Sequence, residues 1–288
     1  MKNLWIPFFC LAGLLLAACH RPKPAAMQDV NAVYYWRTDL HLDSAERAFL
    51  STYHIQKVYC RYFDVVMSEE QGPVPNATIT FSDSLPIGVE MIPTIYITED
   101  CMHQDPKGLA EKLVKRIQQM NETNDIKGVQ EIQIDCDYTA KSRKVYYQFL
   151  KEVKATWKQR LSTTIRLHQL SMEEPPVDYG ALMLYNTGDP RKWTERNPIL
   201  DARDVYPYVK RLDDYPLPLA AAYPVFSWLR VIQGVNIEHT VEADEIIKVK
   251  QMVEKERKDL SRAIITYHLD KENINRYKPE TYEEIFHH

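Results

Sequence analysis

At 288 residues, with 36 lysines and arginines against 40 aspartates and glutamates, the chain carries a formal charge of −4 and no basic block. That balance argues against nucleic acid as a partner. Of the five cysteines only Cys60, Cys101 and Cys136 lie beyond residue 19, in no C-x-x-C spacing, which argues against a disulfide framework and a cysteine zinc site.

The N-terminus reads as targeting, not fold. Lys2 precedes an apolar run, Leu4 to Leu16, that is short for a membrane span. Leu16-Ala17-Ala18-Cys19 follows directly and resembles the lipobox of bacterial lipoprotein signal peptides. The resemblance implies a signal peptide over 1–18, a lipid on Cys19, and a place in the cell envelope on a membrane. Residues 19–28, with Pro22 and Pro24, read as a tether. The remainder, 29–288, is the right size for one large α/β domain.

Eight strand-like runs follow in order: Ala32–Arg37, Gln56–Asp64, Met91–Thr98, Val129–Asp137, Thr163–His168, Gly180–Asn186, Leu217–Tyr223 and Ala263–Leu269. Helix-compatible segments separate most of them. Asp43-Ser44-Ala45-Glu46 is a capping box opening a helix to about Thr52. Pro106 is placed for the first turn of the helix that carries Leu109, Leu113, Ile117 and Met120. Val145, Phe149, Val153 and Trp157 mark the next helix, and Ala243 to Leu260 a charged one with Ile247 and Val253 in its buried stripe. Strands alternating with helices, eight times over, predict a single-domain (β/α)8 TIM barrel. Pro175 and Pro176 leave little room for a helix between the fifth and sixth strands.

The strand Gly128 to Thr139 organises the rest. Ile132, Ile134 and Cys136 alternate with Gln133, Asp135 and Asp137. Carboxylates on the inner face of a stave are costly unless paired or solvated, which places Asp135 and Asp137 at the mouth, where barrel chemistry collects. On the fifth strand the same alternation turns Thr164, Arg166 and His168 inward beside them, as a charge-compensated cluster or, in the blander alternative, with Arg166 in a structural ion pair to Asp135. Arg61 on the second strand is another inward cation in need of a carboxylate. Trp36, Tyr185, Asn186, Tyr223, Trp228 and His268 fall at strand ends and supply aromatic and polar groups suited to sugar rings.

Gln133–Asp137 (Q-I-D-C-D) resembles the D-x-x-D-x-D-x-E strand of family 18 chitinase-like hydrolases. Asp137 takes the position of the motif's terminal acid, Asp135 and Gln133 the two aspartate positions before it, and Gln130 the first. Two acids are thus amides and the proton donor is a shorter aspartate. With Arg166–His168 and A-Y-P-V-F-S-W at Ala222–Trp228, the chain is similar to a family of bacterial lipoproteins with a glycoside-hydrolase-like barrel.

The expected function is a cell-envelope glycoside hydrolase, or a glycoside-hydrolase-like protein, acting on a polysaccharide. Asp137 is its expected general acid, with Asp135, Arg166 and His168 around it and no cofactor or metal. Asp64, Glu99, Asp100 and Asp270 are the candidates for a further carboxylate. The alternative is a barrel that binds a glycan or a protein without turnover. A metal-dependent hydrolase on Asp135, His168 and His268 ranks last, for want of a ligand spacing.

Overall fold

A computed structural model describes residues 27–189, 195–232 and 235–288. The expected signal peptide, Cys19 and nearly all of the expected tether lie outside the described residues. Eight staves, numbered here in chain order, are β1 (Val30–Tyr35), β2 (Ile55–Ser68), β3 (Glu90–Ile97), β4 (Glu131–Asp135), β5 (Arg160–Arg166), β6 (Tyr179–Met183), β7 (Leu219–Pro224) and β8 (Ala263–Tyr267). Each is parallel to its neighbours in sequence, and β1 pairs with both β2 and β8, so the sheet closes. Closure leaves no free edge in the ring, and the eight-stave alternation read from the sequence is the topology that forms.

Around the ring stand the helices α1 (Ser44–Thr52), α2 (Leu109–Thr123), α3 (Arg143–Trp157), α4 (Ala202–Val209), α5 (Ala243–Glu256), α6 (Lys271–Ile274) and α7 (Pro279–Ile285), with short additional strands and 3-10 turns in the connections. The capping box of α1 is formed: Asp43 accepts from the Glu46 N–H at 2.8 Å, and Glu46 from the Asp43 N–H at 2.9 Å. Pro106 does not open α2. Gly108, at φ +70°, stands between them, a left-handed residue that no α-helix contains. The last long helix stops at Glu256, short of the expected Leu260. Arg257 there leaves helical geometry and sends its guanidinium inward to the carbonyls of Leu212, Tyr215 and Leu217. Its buried stripe uses Ile246, Val249 and Val253, with Ile247 only half-buried.

Between β5 and β6 the crossover helix is replaced by a 3-10 turn, Leu167–Ser171, and the Pro175-Pro176 loop. Gly180 on β6 fits this tight joint, since a Cβ there would lie 2.6 Å from Ile165 Cγ1. A second irregularity shapes the mouth. The β2–β3 register slips between Arg61 and Phe63. The extra residue turns Tyr62 and Phe63 outward toward α2, where they meet Asn121 and Arg116, and returns Asp64 to the inner face three residues after Arg61.

The barrel interior is a polar column along β4. At the floor, Glu131 is fully buried and accepts from Lys57 at 2.8 Å, from Ser162 at 2.8 Å and from Tyr179. One layer up, Gln133 accepts from the Tyr34 hydroxyl at 2.8 Å. Asp135 and Asp137 follow toward the mouth. Gln130, given the first acid position of the chitinase-like motif, is instead exposed below the floor, where its carbonyl accepts from the Arg160 N–H. Among the described residues no helix is long and apolar enough to cross a membrane.

Candidate active site

Two neighbouring staves bring the acids and the arginine together. Asp135, 3 % exposed, ends β4 and accepts from Thr164 Oγ1 of β5 at 2.6 Å. Asp137 lies two residues on, exposed, and its Oδ1 accepts from Arg166 Nε at 2.5 Å. The ion pair of Arg166 with Asp135 is therefore corrected. A two-residue step along a strand is roughly 7 Å, so Arg166 at the tip of β5 reaches the outer acid while Thr164 caps the inner one.

The Asp135 carboxyl is pushed up to about 6, first by burial and further by the charge of Asp137, while Arg166 and the Thr164 hydrogen bond pull the other way. Tyr96 on β3 is the register partner of Asp135, and its hydroxyl is pushed up to about 12 by burial and by the charges of Asp137 and Asp135. His168, on the 3-10 turn, is held below the ordinary imidazole range by burial and by the Arg166 charge.

A cleft of about 380 Å³ opens on this side of the mouth. Asp137, Arg166 and His168 form one wall; Tyr185, Asn186 and Thr187 after β6 form the next; Tyr208 of α4 and Trp228 close the outer side. Trp228 starts an antiparallel ribbon, Trp228–Ile232 with Val235–His239, that stands on the mouth after β7. The Tyr185 hydroxyl is buried and has no hydrogen-bond partner among the described residues. Asn186 holds a left-handed φ of 56°, which asparagine tolerates better than most residues and which turns the chain at the cleft edge.

The remaining sequence-derived residues divide. Arg61 finds its carboxylate in Asp64, with Nε 2.7 Å from Oδ1, and its guanidinium lies 5.7 Å over the Trp36 ring. Trp36 in turn packs on Tyr34 and Tyr267, so this group forms the centre of the mouth beside the cleft. Tyr223 is corrected: it is fully buried, and the charge bearing on it is Glu254 of the outer helix α5, so it offers no surface to a sugar. His268 sits against Asn273, 3.4 Å from its amide nitrogen, held neutral by burial and away from the cleft lining. Asp135, His168 and His268 are not gathered into a ligand set; among the described residues no group of three or more His, Cys, Asp or Glu side chains is placed to hold a metal.

Of the further carboxylates, Asp64 is at the mouth. Glu99 instead ties the rim together, accepting from Ser142 at 2.6 Å and Thr139 at 3.0 Å, and Asp270 caps α6. Sequence reasoning passed over Tyr96 and Glu131, although period two counted from Asp135 and its β3 neighbour reaches both. Tyr208 carried no such signal, because α4 is irregular, with Pro207 inside it.

No protein-family model and no curated protein matches the sequence. Solved structures do. A chitinase from Bacteroides thetaiotaomicron superposes with a TM-score of 0.60 at 11 % identity, over 90 % of this chain and 95 % of its own. The Bacillus cereus spore cortex-lytic enzyme SleL gives 0.55 at 15 % identity, over 92 % and 75 %. The catalytic domain of a hyperthermophilic chitinase from Pyrococcus furiosus gives 0.51 at 12 % identity, over 92 % and 96 %. The fold is the (β/α)8 barrel that these structures share. At these identities the likeness is one of fold.

Proposed function

We propose that the protein is a cell-envelope protein that acts on a polysaccharide, with Asp135 and Asp137 as its acid pair. The observation that carries this reading is the cleft at the C-terminal mouth, where an unpartnered buried Tyr185 hydroxyl, Asn186 and His168 face the Trp228 and Tyr208 rings across an acid. Hydroxyls and amides suit sugar hydroxyls, and the rings suit their apolar faces. In this reading Asp137, which lines the cleft, is the general acid, and the buried Asp135 behind it orients it or stabilises developing positive charge on the sugar. Arg166 orients Asp137 through its hydrogen bond.

One observation favours a second reading, a barrel that holds glycan without cleaving it: the Arg166 guanidinium is paired with Asp137, and its positive charge opposes proton uptake by that acid. A panel of soluble polysaccharides, followed for new reducing ends and for binding, separates the two. Asp137→Asn should keep binding and lose roughly 10²-fold in turnover. Binding without turnover in the parent selects the second reading, and a parent that neither binds nor cleaves any glycan overturns both.

The envelope location rests on the lipobox-like Leu16–Cys19 and carries its own expectation. Cys19→Ser should move the protein from the detergent phase to the aqueous phase with the melting transition unchanged. Full retention of the variant in the detergent phase would exclude the anchor.

A further inference from the structure

α3 carries the largest positive charge of the outer helices. Lys144, Gln148, Lys151 and Ala155 recur at the spacing of a single helical face, all exposed, opposite the buried Tyr146, Phe149, Leu150 and Val153. Lys141 just before the helix and Lys158 at its C-cap prolong the row, so four lysines line a strip roughly 25 Å long. Among the described residues none of these four ammonium groups has an ion-pair or hydrogen-bond partner. The helix's single carboxylate, Glu152, is bonded instead to Gln148 at 2.9 Å. By contrast, α5 interleaves its charges, pairing Lys248 with Glu245 and Lys250 with Glu254.

Stability does not ask for this arrangement. The first turn of α3 carries Arg143 and Lys144 and no acid, which sets cations against the positive end of the helix dipole. The row is also placed against the protein's overall charge of −4. Across the closed ring, α7 packs on α1 and α5 and exposes Glu280, Glu283 and Glu284. The barrel is therefore polarised, positive between β4 and β5 and negative between β8 and β1.

The row begins on the mouth side of the barrel, four residues along the chain from the cleft residue Asp137. Lys141 is on the loop that joins the acid strand to α3, and from there the lysines descend the outer wall. We propose that this row is an accessory surface for an anionic polysaccharide, which it orients into the cleft at the mouth. The proposal rests on the polysaccharide reading above and adds the charge class of the polymer. A membrane surface fits less well, because helices that lie in a lipid interface bury large apolar side chains alongside their lysines, and this face offers only Gln148 and Ala155.

The test compares the full-length parent with a Lys141→Gln, Lys144→Gln, Lys151→Gln, Lys158→Gln variant in affinity electrophoresis. Gels carry either polygalacturonate or a neutral galactomannan. The parent should be retarded by polygalacturonate in a salt-sensitive way, and the variant should lose about tenfold in apparent affinity for it, with retardation by the neutral polymer unchanged. A melting curve checks the fold, and the Lys151→Gln, Lys158→Gln pair serves if the fourfold variant is destabilised. Equal retention of parent and variant by polygalacturonate overturns the proposal. So does tighter binding of the parent to phosphatidylglycerol vesicles than to the polyanion, with the same lysine dependence. A parent held by the neutral polymer alone removes the lysine row and leaves the polysaccharide reading standing; a parent held by neither polymer fails both.

Discussion

Replacing Lys57 with methionine should cost about 3–5 kcal/mol of stability, because it strands the carboxylate of Glu131 at the barrel floor. Glu131 is fully buried, and Lys57 Nζ lies 2.8 Å from its Oε2. Ser162 and Tyr179 donate to the other oxygen, so they orient the carboxylate without neutralising it. Arg160, 3.6 Å away and half-exposed, supplies a weaker second charge that should hold the loss nearer the lower figure. Lys57→Met with Glu131→Gln removes both charges while keeping an acceptor for Ser162 and Tyr179, and should recover much of the loss. Urea unfolding of the four proteins closes the cycle. Strictly additive losses would show that the pair is not coupled and that the floor tolerates a lone carboxylate.

The barrel itself was legible because period two and the strand–helix alternation are set by short-range chemistry, which each residue carries with it. The same is true of the inward set on β4 and β5. What could not be read was which partner each inward group takes. Adjacency along the ring suggests a pairing of Arg166 with Asp135. Side-chain reach decides otherwise, because an arginine at a stave tip extends past the buried acid to the exposed one. Tyr223 was placed on the rim as an aromatic at a strand end, but its parity on β7 sends it outward under α5. The pairing of Arg61 with Asp64 was hidden by the β2 register slip, since regular alternation puts residues three apart on opposite faces.

The acids are one end of a column in which Glu131, Gln133 and Asp135 each have their own donor: Lys57, Tyr34 and Thr164. Such satisfied layers fix side-chain positions from the floor upward and leave the last pair as the part of the column in contact with solvent. That is the arrangement a site needs if its groups are to be held in place without a ligand.

The largest functional effect is expected at Asp135, and its pH dependence identifies the cause. Its carboxyl titrates near 6 in the folded protein, against an ordinary value of 3.8. Below about pH 4 both folded and unfolded chains hold the proton, and the group contributes no difference. Between 4 and 6 the folded chain keeps a proton that the unfolded chain releases, so this residue makes stability fall as pH rises, by about 3 kcal/mol once both forms are ionised. Asp135→Asn removes that titration and keeps an oxygen for the Thr164 hydroxyl. The variant should therefore match the parent in urea melts near pH 4 and exceed it by about 3 kcal/mol near pH 7. A stability difference that stays constant across that range would show that burial does not shift this group. In the hydrolase reading the same substitution should lower turnover by roughly 10²-fold or more and erase the limb of the parent's pH–rate profile that lies near 6. Arg166→Gln should move that limb upward, because the arginine's charge is what restrains the rise caused by burial. A variant that is more stable at neutral pH yet no longer turns over polysaccharide would mark Asp135 as a group kept for chemistry at a cost in stability. One that gains stability and keeps full activity would leave Asp137 to act without it.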